Sequence, residues 1–343
     1  IPMKSFYGQI ARLTVMNSCL DRIESLFAEK ELDDSGTDSL RENDNAPEIE
    51  YRNVTFAYNK NDVLKDISFT ARKNEMVALV GPSGSGKSTV AKLISGMYKV
   101  DSGTIDFYPR SAQTPVKSAS RLCKYVFQDP SRSLNPRMTV YSILTDGLRW
   151  SKKWKGKKDA VQKAKAILEE TGLSPDDLYR RPSEFSGGQR QRISIARGLL
   201  MEPEFLICDE VVSALDVSIQ GQILNLLQDI RKKRNLSFLF IAHDLRVSCY
   251  FCDKIGVMYG GVLVEEAPAA DFFKTCIHPY TKLLFNGSLA QTGGEGGEVK
   301  SVLSAVQGCP FAHRCPKASK KCFESMPEWK EICSGHKMRC FEI

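Results

Sequence analysis

Nine residues, GPSGSGKST at 81–89, limit what this chain can fold into more than any other stretch. They follow the apolar run Met76-Val77-Ala78-Leu79-Val80 and precede Val90-Ala91-Lys92-Leu93-Ile94. The sequence therefore predicts a buried strand, a loop and a helix, the setting in which a phosphate-cradling loop works. Gly81, Gly84 and Gly86 free the backbone to wrap a phosphate chain, so that loop N–H groups and the helix N-terminus point at negative charge. Pro82, Ser83, Ser85 and Thr89 complete the loop. Lys87 is expected to reach the β- and γ-phosphates and the Ser88 hydroxyl to ligate Mg²⁺. A Gly/Ser-rich surface loop would share the composition but not the strand and helix on either side. Alone, the loop predicts only the binding of a nucleoside triphosphate.

With 343 residues, 42% of them hydrophobic, the chain is long enough for two domains and a sizeable core. The net charge of +7 is mild. Basic clusters at 149–158 and 231–234 are expected to be solvated helix faces, with a membrane headgroup or a partner as the alternative. No run of about 18 apolar residues and no signal-peptide pattern occurs. A soluble chain is expected, on the cytoplasmic side if it meets a membrane. Its start at Ile1 rather than Met suggests a piece of a longer polypeptide. Eleven cysteines, an odd number, argue against a disulfide framework, and five of them follow residue 308.

Ile10, Leu13, Met16, Leu20, Ile23 and Phe27 recur at steps of three or four and predict an amphipathic helix over 5–29. Residues 33–47, acidic and closed by Pro47, read as a linker. Short β-type runs at 49–56, 64–71 and 103–107 predict an antiparallel patch beside the loop strand, with Tyr58 between the first two. LCKYVFQDP predicts a strand ending at Gln128, followed by a mostly helical region over about 138–180. Ser186-Gly187-Gly188 then stands directly before a helix with the apolar face Ile193, Ile195, Ala196, Leu199 and Leu200, a second potential anion site.

The run at 205–208 predicts a buried strand ending in Asp209-Glu210. The first carboxylate suits anchoring Mg²⁺ through water, and the second suits polarising an attacking water. A helix over about 219–233 and a strand over 237–242 lead to His243. Cys249 and Cys252 read as small buried residues rather than ligands. At the far end Cys309, Cys315, Cys322 and Cys340 are separated by five, six and seventeen residues, with Cys333 in the last gap. Four thiolates suit either Zn²⁺ or an iron–sulfur cluster. His313 and His336 could substitute in a zinc site, but surface positions are expected for both.

In this order the pieces resemble the nucleotide-binding domain of an ABC transporter over residues 48–285. Tyr58 matches the aromatic that stacks on adenine, GPSGSGKS the Walker A loop, Gln128 the Q-loop and FSGGQ at 185–189, through Gln189, the signature. FLICDE matches Walker B, SALD at 213–216 the D-loop and His243 the switch histidine. The resemblance implies an α/β P-loop NTPase of the ABC ATPase type: a mainly parallel sheet core, an antiparallel β patch and a helical subdomain at about 131–190. Residues 1–47 would form a helix and linker, and 286–343 a small Cys-rich C-terminal module.

It also implies that two such ATPase subunits, alike or different, pair head to tail with ATP between the Walker A of one and the signature of the other. Ser186, Gly187 and Gly188 would complete the partner's site. Glu210 would be the general base, His243 would hold the γ-phosphate, and Gln128 would couple the metal to the transmembrane permease. Val211 departs from the family, where proline usually follows the catalytic Glu.

FQDPSRSLNPRMTV, VSALDVSIQGQILNLL and HPYTKLL resemble the ATPase subunits of oligopeptide and dipeptide importers. That likeness implies membrane permeases and, indirectly, a substrate-binding protein as partners, a peripheral place on the cytoplasmic face of the membrane, and a 4Fe-4S cluster on Cys309, Cys315, Cys322 and Cys340, with Zn²⁺ the alternative. The first half, with IEYRNVTFAY behind DRIESLF, is more similar to exporter-type domains. An ATPase acting on nucleic acid is disfavoured, since no sustained heptads separate Lys87 from Ser186 and there is one P-loop.

Overall fold

The computed structural model describes residues 47–59, 61–110, 115–116, 122–151, 153–213, 215–270, 272–285 and 307–342. The expected N-terminal helix and most of the linker lie outside the described residues. Two sheets organise the rest. The smaller is the expected antiparallel patch, in the order β2 (Asn61–Arg72), β1 (Pro47–Tyr58), β4 (Ser102–Phe107). The larger has a parallel core of β8 (Lys254–Tyr259), β3 (Met76–Val80), β7 (Ser237–Ala242), β6 (Phe205–Asp209) and β5 (Cys123–Val126), in that spatial order.

A parallel core must be covered on both faces, which is why its strands read as unbroken apolar runs. Met76, Ala78 and Val80 of β3 join one hydrophobic cluster, while Val77 and Leu79 join the other. The same alternation divides Phe238 and Phe240 from Leu239 and Ile241 on β7. The first face carries the helices α2 (Val140–Arg149), α3 (Lys157–Glu170) and α4 (Gly187–Leu199), and the second faces the antiparallel patch. The expected apolar face of α4 is buried throughout. Between β3 and β4 runs α1 (Lys87–Ile94), and between β6 and β7 runs α5 (Val217–Arg234).

The basic cluster at 231–234 is only partly the solvated face expected of it. Arg231 grips Asp253 through both nitrogens of its fork, at 3.2 and 2.5 Å, and donates to the Asn74 carbonyl. Arg234 forms a bidentate pair with Glu170 of α3 at 2.8 and 2.5 Å. Such paired geometry ties α5 to the neighbouring elements, a role that a spacing of charges cannot reveal. At 149–158 the expectation fits better: Trp150 is 87% exposed and Arg149, Lys155, Lys157 and Lys158 are exposed.

The described C-terminal residues continue the main sheet. Strand β9 (Val262–Pro268) pairs antiparallel with β8, and the hairpin β10 (Trp329–Cys333) and β11 (His336–Arg339) adds to β9 through β11. His336 corrects the surface expectation: it is 2% exposed, and its Nε2 meets Glu265 Oε1 of β9 at 2.8 Å. That carboxylate oxygen also accepts from the Ile277 N–H at 2.8 Å. His313 is exposed, edge-on to Phe323. Cys252 is buried and Cys249 half-buried, as small core-lining residues.

Candidate nucleotide site

Four segments implicated by the sequence leave the same edge of the main sheet, because β3, β5, β6 and β7 are parallel and each is followed by one of them. The loop 81–86 follows β3, Gln128 follows β5, Asp209-Glu210 ends β6 and His243 follows β7. The carboxyl edge of a parallel sheet is where such folds bind ligands.

The loop is built by close approach. A Cβ on Gly81 would stand 2.2 Å from the Met258 carbonyl oxygen of β8, and Gly86, the N-cap of α1, has φ 98°, in the left-handed region. Lys87 is 5% exposed, and its ammonium donates to the carbonyls of Gly81 at 2.7 Å and Pro82 at 2.8 Å, and to Ser85 Oγ at 3.3 Å. Burial pushes the pKa of Lys87 below the usual lysine range, opposed by the nearby carboxylates Glu210 and Asp209. Pro82 and Ser88 are half-buried, Ser83 and Gly84 exposed, and Thr89 buried.

Ser88 Oγ donates to Asp209 Oδ1 at 3.1 Å across the gap between α1 and β6. Asp209 is 8% exposed. A hydroxyl and a carboxylate brought together at the start of a phosphate-binding helix are hard oxygen donors of the kind Mg²⁺ takes alongside phosphate oxygens. Glu210 has φ 48°, and its N–H donates to the Ile241 carbonyl. That left-handed turn carries its side chain away from the strand to Gln128, whose Nε2 donates to Glu210 Oε2 at 2.7 Å. His243 is exposed and lines one cleft with Glu210, Ser213 and Gln220. Val211 is buried and packs in the helical-side core.

Tyr58 is half-buried, its hydroxyl 3.5 Å from Thr89 Oγ1 and its ring edge-on to Phe56 and Tyr98. Tyr98, 39% exposed, was not singled out by the sequence, and neither was Tyr125. The Tyr125 hydroxyl donates to Asp209 Oδ2 at 2.5 Å. An aromatic in a strand reads as packing unless its hydroxyl's partner on another strand is known.

The signature stands apart. Ser186 caps α4, its Oγ accepting from the Gln189 N–H at 3.3 Å while Gln189 Oε1 accepts from the Ser186 N–H at 2.9 Å, a capping box. Ser186, Gly187 and Gln189 are exposed. A Cβ on Gly188 would lie 2.7 Å from Ile219 Cγ2, so α5 approaches α4 closely there. Among the described residues no hydrogen bond or ion pair joins 186–189 to 81–89.

Cys309, Cys315, Cys322 and Cys340 line a single small cleft with His278, Phe311, Pro327 and Phe341. Cys333 is exposed on the β10–β11 hairpin. Burial raises the Cys309 pKa to about 11 and raises those of Cys315 and Cys340. Among the described residues no group of three or more His, Cys, Asp or Glu side chains is placed to hold a metal ion, the four cysteines included.

Comparison with known proteins agrees with this geometry. The ABC transporter family profile matches residues 64–213, and the profile of the oligopeptide/dipeptide transporter C-terminal region matches 264–322. The oligopeptide transport ATP-binding protein OppF of Bacillus subtilis is 42% identical over 283 residues, covering 81% of this chain and 89% of its own. A putative peptide import ATP-binding protein of Brucella ovis is 39% identical, covering 81% and 91%. Among solved structures, cbiO1 of Clostridium perfringens, part of an ABC transporter complex, shares the fold with a TM-score of 0.60 at 24% identity, over 71% of this chain and 96% of that one. A dimeric ATP-binding cassette in a post-hydrolysis state with ADP and phosphate matches with a TM-score of 0.56 at 25% identity, over 65% and 99%. The sheet order, the loop and the carboxylates at its edge, and these likenesses make the chain a member of the ABC transporter ATP-binding family, in its oligopeptide transport branch.

Proposed function

We propose that the chain is the ATP-hydrolysing subunit of a peptide importer and that its nucleotide site is complete only in a pair of ATPase subunits. The observation that carries this reading is the meeting of Ser88 with Asp209 and of Gln128 with Glu210 beside the phosphate loop. In this reading Lys87 and the loop N–H groups neutralise the β- and γ-phosphates. Ser88, Gln128 and Asp209 would hold Mg²⁺, which when bound would supply charge neutralisation at the transferring phosphoryl group. Glu210 takes the proton of the attacking water, His243 contacts the γ-phosphate and Tyr58 stacks on the base. Phosphoryl transfer asks for positioning and electrostatic stabilisation rather than covalent chemistry, and these residues offer both.

The exposed, self-capped signature supports the pairing: Ser186, Gly187, Gly188 and Gln189 would close over the partner's nucleotide. The partner is a second ATPase subunit, a copy or a relative. The dimeric cassette bound to ADP and phosphate supports a pair as the working unit. Among the described residues no helix is long and apolar enough to cross a membrane. In this reading attachment at the cytoplasmic face runs through permease subunits, as the transporter family implies, with a binding protein delivering peptide. The domain division proposed is 1–47, 48–285 and 286–343. An exporter half is not favoured, since the relatives named are peptide transport and import proteins.

For the cysteine end we propose a 4Fe-4S cluster on Cys309, Cys315, Cys322 and Cys340, with Zn²⁺ as the alternative. The support is that four soft donors line one small cleft, a donor set that suits either group. Bound there, it would tie the segment 309–322 to Cys340 beyond the β10–β11 hairpin. Mg²⁺-dependent ATP hydrolysis by the chain with permeases and binding protein in vesicles, stimulated by peptide on the binding-protein side, tests the main reading. Hydrolysis indifferent to peptide in that complex would reject it.

A further inference from the structure

Both oxygens of Asp209 are engaged, and only one of the two partners belongs to the phosphate loop. Ser88 holds Oδ1 at 3.1 Å, and the Tyr125 hydroxyl holds Oδ2 at 2.5 Å. The register explains how a residue 84 positions away arrives there. Tyr125 of β5 pairs with Ile207 of β6, and Asp209 lies two residues further along β6, so all three side chains face the same side of the sheet. Cys123 and Phe205, which share that side, are buried in the cluster under the antiparallel patch. The tyrosine ring is fixed in turn, packing on Phe127 with ring centroids 4.6 Å apart. The hydroxyl is therefore delivered by a half-buried edge strand and a ring packed on its neighbour.

We propose that Tyr125 is a positioning residue for the Mg²⁺ site: by holding Oδ2 it fixes the rotation of the Asp209 carboxylate, so that Oδ1 is presented to the metal and its water. A carboxylate that turns freely about its last bond presents either oxygen, and metal affinity suffers. Partners that orient a ligand in this way are typically worth about 10- to 100-fold in metal affinity. This inference rests on the reading of Asp209 as the metal anchor and adds a residue that neither the phosphate loop nor the carboxylate pair would reveal.

The test is a Mn²⁺ titration of the full chain with a non-hydrolysable ATP analogue, followed by electron paramagnetic resonance, alongside metal-free binding of a fluorescent ATP analogue. Tyr125→Phe keeps the ring and removes only the hydroxyl. It is expected to weaken Mn²⁺ binding about tenfold, to leave metal-free nucleotide binding unchanged, and to recover most of its turnover at saturating Mg²⁺. Tyr125→Met, which removes ring and hydroxyl together, is expected to weaken Mn²⁺ binding at least as much. Unchanged or tighter Mn²⁺ binding in Tyr125→Phe would overturn the proposal, because the hydroxyl would then be packing or competing with the metal. Loss confined to Tyr125→Met would do the same. Asp209→Asn separates the two levels: if it keeps wild-type Mn²⁺ affinity, the reading of Asp209 itself fails, whereas a loss there with none in Tyr125→Phe fails only the tyrosine.

Discussion

The phosphate loop and the signature are both glycine-bearing loops at helix N-termini, yet the chain treats them in opposite ways. At the loop its own atoms close in: Lys87 is buried against loop carbonyls, Ser88 is held by Asp209, and Gly81 backs onto the main chain of β8. At the signature the same chemistry faces outward, with Ser186 and Gln189 satisfying only each other and Gly187 open. A helix N-terminus with free N–H groups is an anion site waiting for charge. The difference teaches that the chain supplies two unlike halves, one finished internally and one left exposed, which in the proposed reading a second subunit finishes.

The largest effect is expected at Glu210, the proposed general base. Glu210→Gln should lower ATP turnover on the order of a thousandfold while ATP affinity stays within about twofold, since a general base acts on the attacking water and not on the bound nucleotide. Single-turnover hydrolysis and equilibrium binding on the same preparation separate the two. Wild-type turnover would remove Glu210 from that role.

Next come two glycine substitutions that put the contrast itself at risk. Gly81→Ala drives a Cβ into the Met258 carbonyl oxygen at 2.2 Å, a backbone neighbour that cannot swing aside. A loss of about 2–3 kcal/mol, roughly a hundredfold in ATP affinity, is expected from that overlap. Gly187→Ala meets only Leu215 Cδ2 at 3.8 Å, ordinary contact. Its melting temperature and ATP affinity should match wild type, while turnover falls about tenfold because the added methyl stands where a partner's nucleotide would rest. Equal losses of ATP affinity in both variants would erase the distinction between a finished and an unfinished half.

Much of this arrangement was legible in the sequence because its signals are local. A glycine loop between an apolar run and a helix, an apolar run ending in two carboxylates and Ser-Gly-Gly before an amphipathic helix each state their own structure within about fifteen residues. What escaped depends on strand pairing across long separations. Tyr125 meets Asp209 only because β5 and β6 are neighbours in register, and nothing in CKYV marks its hydroxyl as engaged. His336 was expected at the surface, yet β11 pairs with β9 and buries it against Glu265. Likewise Arg231 and Arg234 read as solvated charge until Asp253 and Glu170 are brought alongside. The cysteines at 309, 315, 322 and 340 were legible as a group, and their common cleft is a matter of fold rather than spacing.

The central claim, that each catalytic site joins the phosphate loop of one subunit to the signature of another, is tested most directly by complementation between two inactive chains. Lys87→Ala removes the phosphate-binding half and Ser186→Arg blocks the signature half, so each alone should hydrolyse no ATP. In an equal mixture, half of the randomly formed pairs join unlike chains, and each such pair carries one intact composite site. The account predicts recovery of about a quarter of wild-type turnover on mixing. Wild-type turnover by the Ser186→Arg chain alone, or a mixture that pairs in ATP yet stays as inactive as its components, would contradict it.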